Sequence, residues 1–280
     1  MRFVFVNPAS PFLLSDRGAP ALGILYLAAI LRAQGHEVTC WDCTGDATLA
    51  DLFGMAPETL MQDRSSLMAA TRTVPEACMH GDSIVAITAT SAQYHEAVNL
   101  LRTIRWCGSG ARVIIGGSHV SALPDEALRD GFHAVFAGEA DDALPEWINA
   151  GCPPGIIDAK APRDLDRLPL PARDLVDLRS YCANLTVGKG VSSTIHMSRG
   201  CVFSCNYCVR TLGDAARFLR VRSIENIGAE VDTLARDYGI TRFVATDDIF
   251  GVKRPWLAEF CGYFYRAGYH FRVNMRANTL

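Results

Sequence analysis

Short apolar runs alternate with segments of helical period through residues 1–150, and this alternation is the feature that most restricts the fold. Helices are predicted over residues 21–34, over a less regular stretch at residues 47–70, and from about residue 94 to residue 104. Continuous apolar strands separated by helices predict an α/β domain, a flavodoxin-like, doubly wound parallel sheet covered on both faces. The runs predicted to form its strands are Arg2–Asn7, Glu37–Asp42, Ser83–Thr88, Arg112–Gly116 and residues 133–137.

Ligands of doubly wound sheets bind at the carboxyl ends of the strands, near the point where the strand order reverses. Paired glycines such as Gly116 and Gly117 let a bulky ligand approach backbone N–H groups, but they also serve tight turns in many sheets. Both interpretations stay open at this stage, and His119 by itself is typical of a hydrogen-bonded loop histidine. The residues at the predicted strand ends are Asn7, Pro8, Thr88, Ala89, Thr90, Ser91, Gly116, Gly117, Ser118, His119, Gly138 and Glu139.

The composition changes at residues 151–190, where prolines and glycines cluster, and this segment is predicted to be a Pro-rich linker between folded units. Residues 191–280 then return to strands and helices. At roughly 30 residues for each strand–helix unit, this length allows about three units. The elements predicted there are strands at residues 193–197, 241–246 and 271–275 and helices at residues 224–236 and 255–267.

Three cysteines, Cys201, Cys205 and Cys208, form a C-x3-C-x2-C motif directly after the strand at residues 193–197. Three soft thiolates in one tight loop suit an iron–sulfur cluster that leaves one iron open to a small molecule. A structural zinc site would need a fourth protein ligand and usually has two paired C-x2-C knuckles. The spacing therefore favours the iron–sulfur interpretation over the zinc one.

Two further pairs allow a functional or a structural interpretation. Asp247 and Asp248 follow the strand at residues 241–246, where carboxylates can hold an ammonium group or a ribose hydroxyl, or cap the next segment. Cys40 and Cys43 form a C-x2-C pair at a strand end, not at the helix N-terminus that would lower a thiol pKa, so a redox role is disfavoured. Arg173, in the linker, either stabilises a turn or touches a cofactor.

The composition excludes several classes of function. A formal net charge of −3 and a pI near 6.2 give no reason to expect nucleic acid or an anionic membrane as a partner. The longest strongly apolar stretch, residues 21–31, is too short to span a bilayer, and the N-terminus has no signal-peptide pattern. Ten cysteines without such a signal predict a reducing compartment, so a cytoplasmic location is expected.

The cysteine motif resembles the signature of radical SAM enzymes, with Ser198, Arg199 and Gly200 leading in and Tyr207 in the aromatic position. Three other stretches resemble the cobalamin-dependent branch of that family. The D-x-H-x-x-G motif, which supplies a lower axial histidine in cobalamin mutases, is absent, so it does not ligate cobalt here. The three stretches are Pro20-Ala-Leu-Gly-Ile-Leu-Tyr, Ile115-Gly-Gly-Ser-His with Gly138-Glu139, and Leu168-Pro-Leu-Pro-Ala-Arg-Asp.

This resemblance implies a cobalamin-binding domain at residues 1–150, a linker at residues 151–190 and the first part of a radical SAM β/α partial barrel at residues 191–280. The family's barrel needs about twice the length available, so either the sequence is a fragment or the missing half comes from elsewhere; both explanations stay open. The cofactors implied are a [4Fe–4S] cluster on Cys201, Cys205 and Cys208, S-adenosylmethionine (SAM) and cobalamin.

The resemblance also implies an activity, the reductive cleavage of SAM to a deoxyadenosyl radical and the methylation of an unactivated carbon of a small molecule. An electron donor such as a flavodoxin or ferredoxin is implied as partner, and no catalytic residue is assigned. Alternatives are a cyclase or rearrangement enzyme of the same type, or a non-catalytic cofactor-binding fragment. The contacts implied are Tyr207, Asp247, Asp248 and Arg276 for SAM, and Thr88, Gly116, Gly117, His119, Gly138 and Glu139 for cobalamin.

Overall fold

The computed structural model describes residues 1–10, 18–44, 78, 80–181, 191–206, 208 and 218–279. The chain divides into two compact units: residues 1–16 with 27–161, and residues 17–26 with 162–280. The division at residue 161 falls inside the segment that the sequence assigns to the linker. The predicted helix at residues 47–70 and the predicted SAM contact Tyr207 lie outside the described residues.

The first unit is a parallel sheet in the order β2-β1-β3-β4-β5-β6 among its described strands. The first five strands in this order follow the flavodoxin-like arrangement, so the predicted fold class is confirmed. The strands are β1 Arg2–Asn7, β2 Glu37–Asp42, β3 Ser83–Thr88, β4 Arg112–Gly116, β5 Ala134–Gly138 and β6 Gly155–Ala159. The helices are α1 Leu22–Ala33, α2 Tyr94–Trp106, α3 Ser118–Ala122, α4 Pro124–Arg129 and α5 Ala140–Asn149.

The strands β1, β3 and β4 lie in the interior of this sheet, and their apolar residues are buried on both faces, as expected for a parallel sheet covered by helices. Val4 and Val6 of β1 share one core cluster with Ala97 and Ile104 of α2. The helical spacing of those α2 residues places them on one face, as the sequence predicts.

The sixth strand corrects the sequence analysis, which assigned residues 155–159 to the linker. This segment pairs in parallel with β5 over five residues at the edge of the sheet. Only one side of an edge strand needs backbone partners, so Pro153 and Pro154 directly before it are tolerated. The prolines dominate the composition of the segment and conceal a short strand.

The second unit contains a parallel sheet in the order β11-β10-β7, formed by β7 Ser192–Ile195, β10 Arg242–Ala245 and β11 His270–Arg272. Two helices, α6 Ile224–Tyr238 and α7 Arg254–Ala267, connect these strands. A two-stranded antiparallel ribbon, β8 Ser198–Arg199 with β9 Arg220–Val221, follows β7. The predicted alternation of strands and helices is confirmed. Within the described residues, no helix is long and apolar enough to cross a bilayer.

The helices of the second unit begin and end where the sequence indicates. The Ser223 side chain accepts a hydrogen bond from the Asn226 amide at the start of α6, and Gly239 ends the helix in the left-handed conformation. Aromatic rings of α7, Phe260 and Phe264, pack against Phe271 of β11. These contacts hold α7 on the sheet and leave the carboxyl ends of the strands for the loops.

Candidate functional site

The three loop cysteines lie in a segment that leaves the sheet after β7 and β8, on the side where β/α units carry their active sites. We call residues 200–208 the cysteine loop. Cys201 and Cys205 are partly exposed, Cys208 is exposed, and the amide of Cys208 donates to the carbonyl of Cys205 at 3.1 Å. Within the described residues, no three His, Cys, Asp or Glu side chains are gathered as a metal site. The structure thus places the three thiols on one loop without bringing them into coordination geometry.

The donor set of this loop nevertheless fits an iron–sulfur cluster chemically. All three ligands are free thiols that solvent reaches, and thiolate is the usual ligand of such clusters. The guanidinium of Arg276 lies 4.0 Å from the ring centre of Phe203 and 3.9 Å from the sulfur of Cys205. Arg276, a predicted SAM contact, therefore lies beside the loop and brings a positive charge to it.

The paired carboxylates have different environments. Asp247 is 5% exposed, and its two oxygens accept hydrogen bonds from the Met197 amide at 2.8 Å and the Ser198 hydroxyl at 2.6 Å. Burial raises the pKa of Asp247 to about 6, although both hydrogen bonds act in the opposite direction. Asp248 is exposed. Of these two carboxylates, that of Asp248 is the one that a ligand can approach from solvent.

The residues just before the cysteine loop are also held from a second side. The Arg222 side chain donates to the carbonyl of His196 at 2.8 Å, and the Arg222 amide donates to the carbonyl of Met197 at 2.9 Å. We call residues 196–198 the lead-in segment. Its backbone and its one hydroxyl are thus bound by Arg222 on one side and by Asp247 on the other.

Arg222 belongs to a buried charge cluster that sequence reasoning missed. Glu230, which is 2% exposed, accepts from Arg222 at 2.5 Å through one oxygen and from Arg173 at 2.6 Å through the other. Arg173 also donates to the Ser193 hydroxyl and the Thr194 carbonyl of β7. Arg173 is therefore engaged inside this unit, in a structural role. The available signal was Glu230 itself, a carboxylate among the apolar residues that form the buried face of α6.

The strand ends of the first unit are joined by a buried amide. The Gln93 side chain donates to the Asn7 side chain at 3.1 Å and to the Pro8 carbonyl at 2.7 Å, and accepts from the Thr90 hydroxyl at 3.0 Å. Asn7 in turn donates to Asp42 at 3.0 Å. The ends of β1, β2 and β3 are thereby fixed to one another at the point where the strand order reverses. Sequence reasoning gave Gln93 no role.

The glycines at the strand ends differ in whether the fold leaves room for a Cβ atom. A Cβ atom on Gly117, where φ is +106°, would lie 2.6 Å from the carbonyl oxygen of Ala89, and one on Gly138 would lie 2.1 Å from that of Ala159. Both residues are therefore required by the close approach of backbone within the fold. A Cβ atom on Gly116 would lie 3.9 Å from that of Phe136, an ordinary contact. Of these three predicted cobalamin contacts, Gly116 alone could carry a side chain without disturbing its neighbours.

His119 has a hydrogen-bond partner at one ring nitrogen, whereas its Nε2 is buried without one, although Glu126 lies close to it. Its Nδ1 lies 3.1 Å from the Ser91 hydroxyl, its Nε2 lies 3.3 Å from a carboxylate oxygen of Glu126, and its ring stacks on Tyr94 at 3.9 Å between centres. The side chain is buried. This arrangement agrees with the absence of a D-x-H-x-x-G motif, because the imidazole already has partners inside the unit.

The C-x2-C pair shows no sign of a reactive thiol. Burial, with a smaller effect from Asp42, raises the pKa of Cys40 to about 12. A thiol that stays protonated at neutral pH is a poor nucleophile, so the structural interpretation of Cys40 and Cys43 is the better one.

Comparison with known proteins places these features in context. Residues 17–148 match the sequence profile of the B12 binding domain. One relative is an uncharacterized methyltransferase, PH0819, from Pyrococcus horikoshii. The two sequences are 27% identical over an alignment that covers 84% of this chain and 50% of the relative. A second relative is the cytidylyl-2-hydroxyethylphosphonate methyltransferase of Streptomyces wedmorensis, which is 24% identical over 88% of this chain and 54% of the relative. A third relative is the anaerobic magnesium-protoporphyrin IX monomethyl ester cyclase of Cereibacter sphaeroides, which is 23% identical over 70% of this chain and 35% of the relative.

Two solved structures share the fold. One is the cobalamin-dependent S-adenosylmethionine radical enzyme OxsB with aqua-cobalamin bound, at a TM-score of 0.64 and 16% identity, covering 93% of this chain and 36% of that one. The other is the radical S-adenosylmethionine methyltransferase TsrM from Kitasatospora setae with cobalamin and a [4Fe–4S] cluster, at a TM-score of 0.58 and 16% identity, covering 95% and 52%. The chain spans roughly a third to a half of the length of these relatives. Its resemblance to cobalamin-dependent radical SAM enzymes is confirmed.

Proposed function

We propose that the chain is the cofactor-binding part of a cobalamin-dependent radical SAM methyltransferase that acts on an unactivated carbon of a small molecule. One observation carries this proposal: a B12 binding domain and a C-x3-C-x2-C loop at the carboxyl ends of parallel strands occur in the same chain. The fold likeness to OxsB and TsrM and the two relatives named as methyltransferases support it.

Cys201, Cys205 and Cys208 would hold the cluster, since they are the thiols of one loop and solvent reaches each of them. When bound, the reduced cluster supplies the electron that cleaves SAM, and cobalamin supplies methyl transfer. The chain's own part is to bind, orient and shield these groups. The electron itself comes from outside, from a donor such as a flavodoxin or ferredoxin, and the reaction is proposed to take place in the cytoplasm.

Asp248 and Arg276 are the described residues that we propose for SAM, together with Tyr207. The exposed carboxylate of Asp248 can accept from the ammonium group of SAM, and the guanidinium of Arg276 beside Cys205 can donate to its carboxylate. Opposite charges at the two ends would orient the zwitterionic methionine part of SAM. Asp247 is not included because the Met197 amide and the Ser198 hydroxyl already occupy its oxygens.

Cobalamin is proposed to lie at the strand ends of the first unit, near Thr88, Gly116 and Glu139. Gly117 and Gly138 would keep the turns there close to the sheet, and His119 would support the turn without ligating cobalt. The polar groups left at this edge are short side chains and backbone amides. Such groups suit a large, flat ligand that bears many amides.

A second candidate is a cyclase, favoured by the likeness to the magnesium-protoporphyrin IX monomethyl ester cyclase. Both candidates cleave SAM reductively, giving methionine and 5′-deoxyadenosine. Only the methyltransferase also transfers the methyl group of SAM, which leaves S-adenosylhomocysteine. The second product therefore distinguishes the two.

The experiment is anaerobic reconstitution with iron, sulfide and cobalamin, followed by incubation with SAM and a strong reductant. We expect 5′-deoxyadenosine to form, and S-adenosylhomocysteine to form only when cobalamin is present. Cys205→Ala should abolish deoxyadenosine, while Cys261→Ala, an exposed cysteine on α7, should leave it unchanged. Deoxyadenosine without S-adenosylhomocysteine would favour the cyclase, and the absence of both products from a cluster-loaded protein would refute the proposal.

A further inference from the structure

The hydrogen bonds of Asp247 lie where the backbone pairing between β7 and β10 ends. Ala245 pairs with Ile195, and the Thr246 amide then donates to the Ile195 carbonyl at 3.0 Å. The next pair in this register is Asp247 and Met197. There the Asp247 side chain accepts from the Met197 amide in place of a backbone carbonyl. A side chain thus continues the pairing where the chain leaves the sheet for the cysteine loop.

We propose that Asp247 is a positioning residue, whose buried carboxylate fixes the lead-in segment so that the cysteine loop can hold its cluster. This inference rests on the proposed function, because it concerns the loop that would carry the cluster. It gives the two neighbouring carboxylates separate tasks. Asp247 supports the loop and Asp248 faces the ligand.

A carboxylate suits this position better than an amide. Two donors, the Met197 amide and the Ser198 hydroxyl, point at it, one at each oxygen. An asparagine has one acceptor oxygen, so its NH2 group would turn the Ser198 hydroxyl from donor to acceptor, and the charge-assisted bond from that hydroxyl would be lost. Both bonds are short and charge-assisted, which gives them a strict geometry. The two residues they fix are followed by Arg199, by Gly200, where φ is +88°, and then by Cys201.

The support from the opposite side makes the arrangement more than a local turn. Arg222 binds the carbonyls of His196 and Met197, Glu230 binds Arg222, and Arg173 binds Glu230. The lead-in segment is therefore clamped between β10 on one side and the segment containing Arg222 on the other. In the loop beyond it, the sulfur of Cys205 lies 3.9 Å from the guanidinium of Arg276. The bonds that Asp247 and Arg222 make to the lead-in segment thus set the direction in which the cysteine loop begins.

A merely structural role is a weaker explanation. Burial disfavours the charged form of Asp247 and raises its pKa, so the fold would gain stability from a neutral residue of the same shape. Residues that lower stability and are kept are expected at functional sites. The two explanations therefore differ in the sign of the effect that Asp247→Asn has on the cofactor-free protein.

The experiment compares Asp247→Asn and Ser198→Ala with wild type and with Asp248→Asn as the matched control. Each full chain is reconstituted anaerobically, and four quantities are measured: the rate at which a chelator removes iron, the electron paramagnetic resonance spectrum of the reduced cluster, the affinity of the reconstituted protein for SAM, and the urea midpoint of the cofactor-free protein. We expect chelation about tenfold faster or more and an altered spectrum for Asp247→Asn, because a charge-assisted bond is lost. Ser198→Ala should change both in the same direction, and Asp248→Asn should resemble wild type in both.

The urea midpoint separates the explanations. A midpoint for Asp247→Asn that equals or exceeds that of wild type, together with faster loss of iron, supports the positioning role. Loss of iron in parallel with a lowered midpoint would show a merely structural role. If Asp247→Asn loses iron at the wild-type rate and keeps the wild-type spectrum but binds SAM more weakly, Asp247 is a SAM ligand. If wild type itself holds no cluster, the proposed function fails and this inference fails with it, whereas a cluster equally stable in all variants refutes the inference alone.

Discussion

Replacing Asp247 with Asn in the cofactor-free protein should change how its stability depends on pH. The carboxyl has a pKa of about 6 in the folded chain, against 3.8 for an ordinary aspartate, and burial is the main cause. Between these two values the folded state holds a proton that the unfolded state has lost. The free energy of unfolding of wild type therefore falls as pH rises through this window. A difference of about 2 pKa units corresponds to about 3 kcal/mol in full.

The measurement is the difference in free energy of unfolding between Asp247→Asn and wild type, from urea titrations at several pH values. Groups common to both proteins cancel, so the difference should grow in favour of the variant by about 1.4 kcal/mol from pH 5 to about pH 7.5. Asp248→Asn is the control, and it should leave most of the fall in place because burial outweighs the charge of Asp248 as a cause. A difference that is constant over this range, or that decreases, would show that the carboxyl is not buried as the structure describes.

Four other expectations concern the proposed sites and the charge cluster. Replacing any one of the loop cysteines with Ala should remove the absorbance of the reconstituted cluster near about 400 nm, since three ligands are needed, and full iron content in the triple variant would contradict this. Asp248→Asn should weaken SAM binding about tenfold with the cluster intact, by loss of a charge-assisted bond; unchanged affinity in a titration would assign it to capping. Gly116→Leu should abolish cobalamin retention while circular dichroism stays unchanged, because a Cβ atom at this position makes only ordinary contacts within the fold, and retention of cobalamin would move the ligand elsewhere. Glu230→Gln should lower the free energy of unfolding by about 3–5 kcal/mol, because two buried guanidinium groups lose their counter-charge, and a urea midpoint close to that of wild type would argue against the cluster.

Much of the fold could be predicted from the sequence because the inner strands of the first sheet are buried on both faces and form continuous apolar runs. Arg2–Asn7, Glu37–Asp42, Ser83–Thr88 and Arg112–Gly116 begin and end in the structure where the apolar runs do. The strand at residues 193–197 was predicted too long, since β7 ends at Ile195. The Met197 amide bonds to a side chain instead of a neighbouring strand, and no local pattern announces that exchange.

The candidate site was less accessible to sequence reasoning, for two physical reasons. The contacts of Asp247 join residues about fifty positions apart, so they depend on the pairing of β7 with β10 and not on either motif alone. A glycine can also be required for more than one reason. Gly117 is required because the backbone of Ala89 lies too close for a Cβ atom, and the sequence alone does not distinguish this from a glycine that lets a ligand approach. The roles proposed for Tyr207, Asp248 and Arg276 remain predictions.

The distribution of buried charge in the second unit follows from what its strand ends must do. Its core is otherwise apolar and aromatic, yet Arg173, Arg222, Glu230 and Asp247 are all at most 5% exposed. Burying charges is costly and stabilises a fold less than apolar packing of the same volume, so such groups are expected where a defined geometry is needed. Two of them, Arg222 and Asp247, bond directly to the lead-in segment, whereas Glu230 binds Arg222 and Arg173 binds Glu230. The chain therefore concentrates its directional bonds on the three residues from which the cysteine loop departs, which is where an error in orientation would displace all three thiols together.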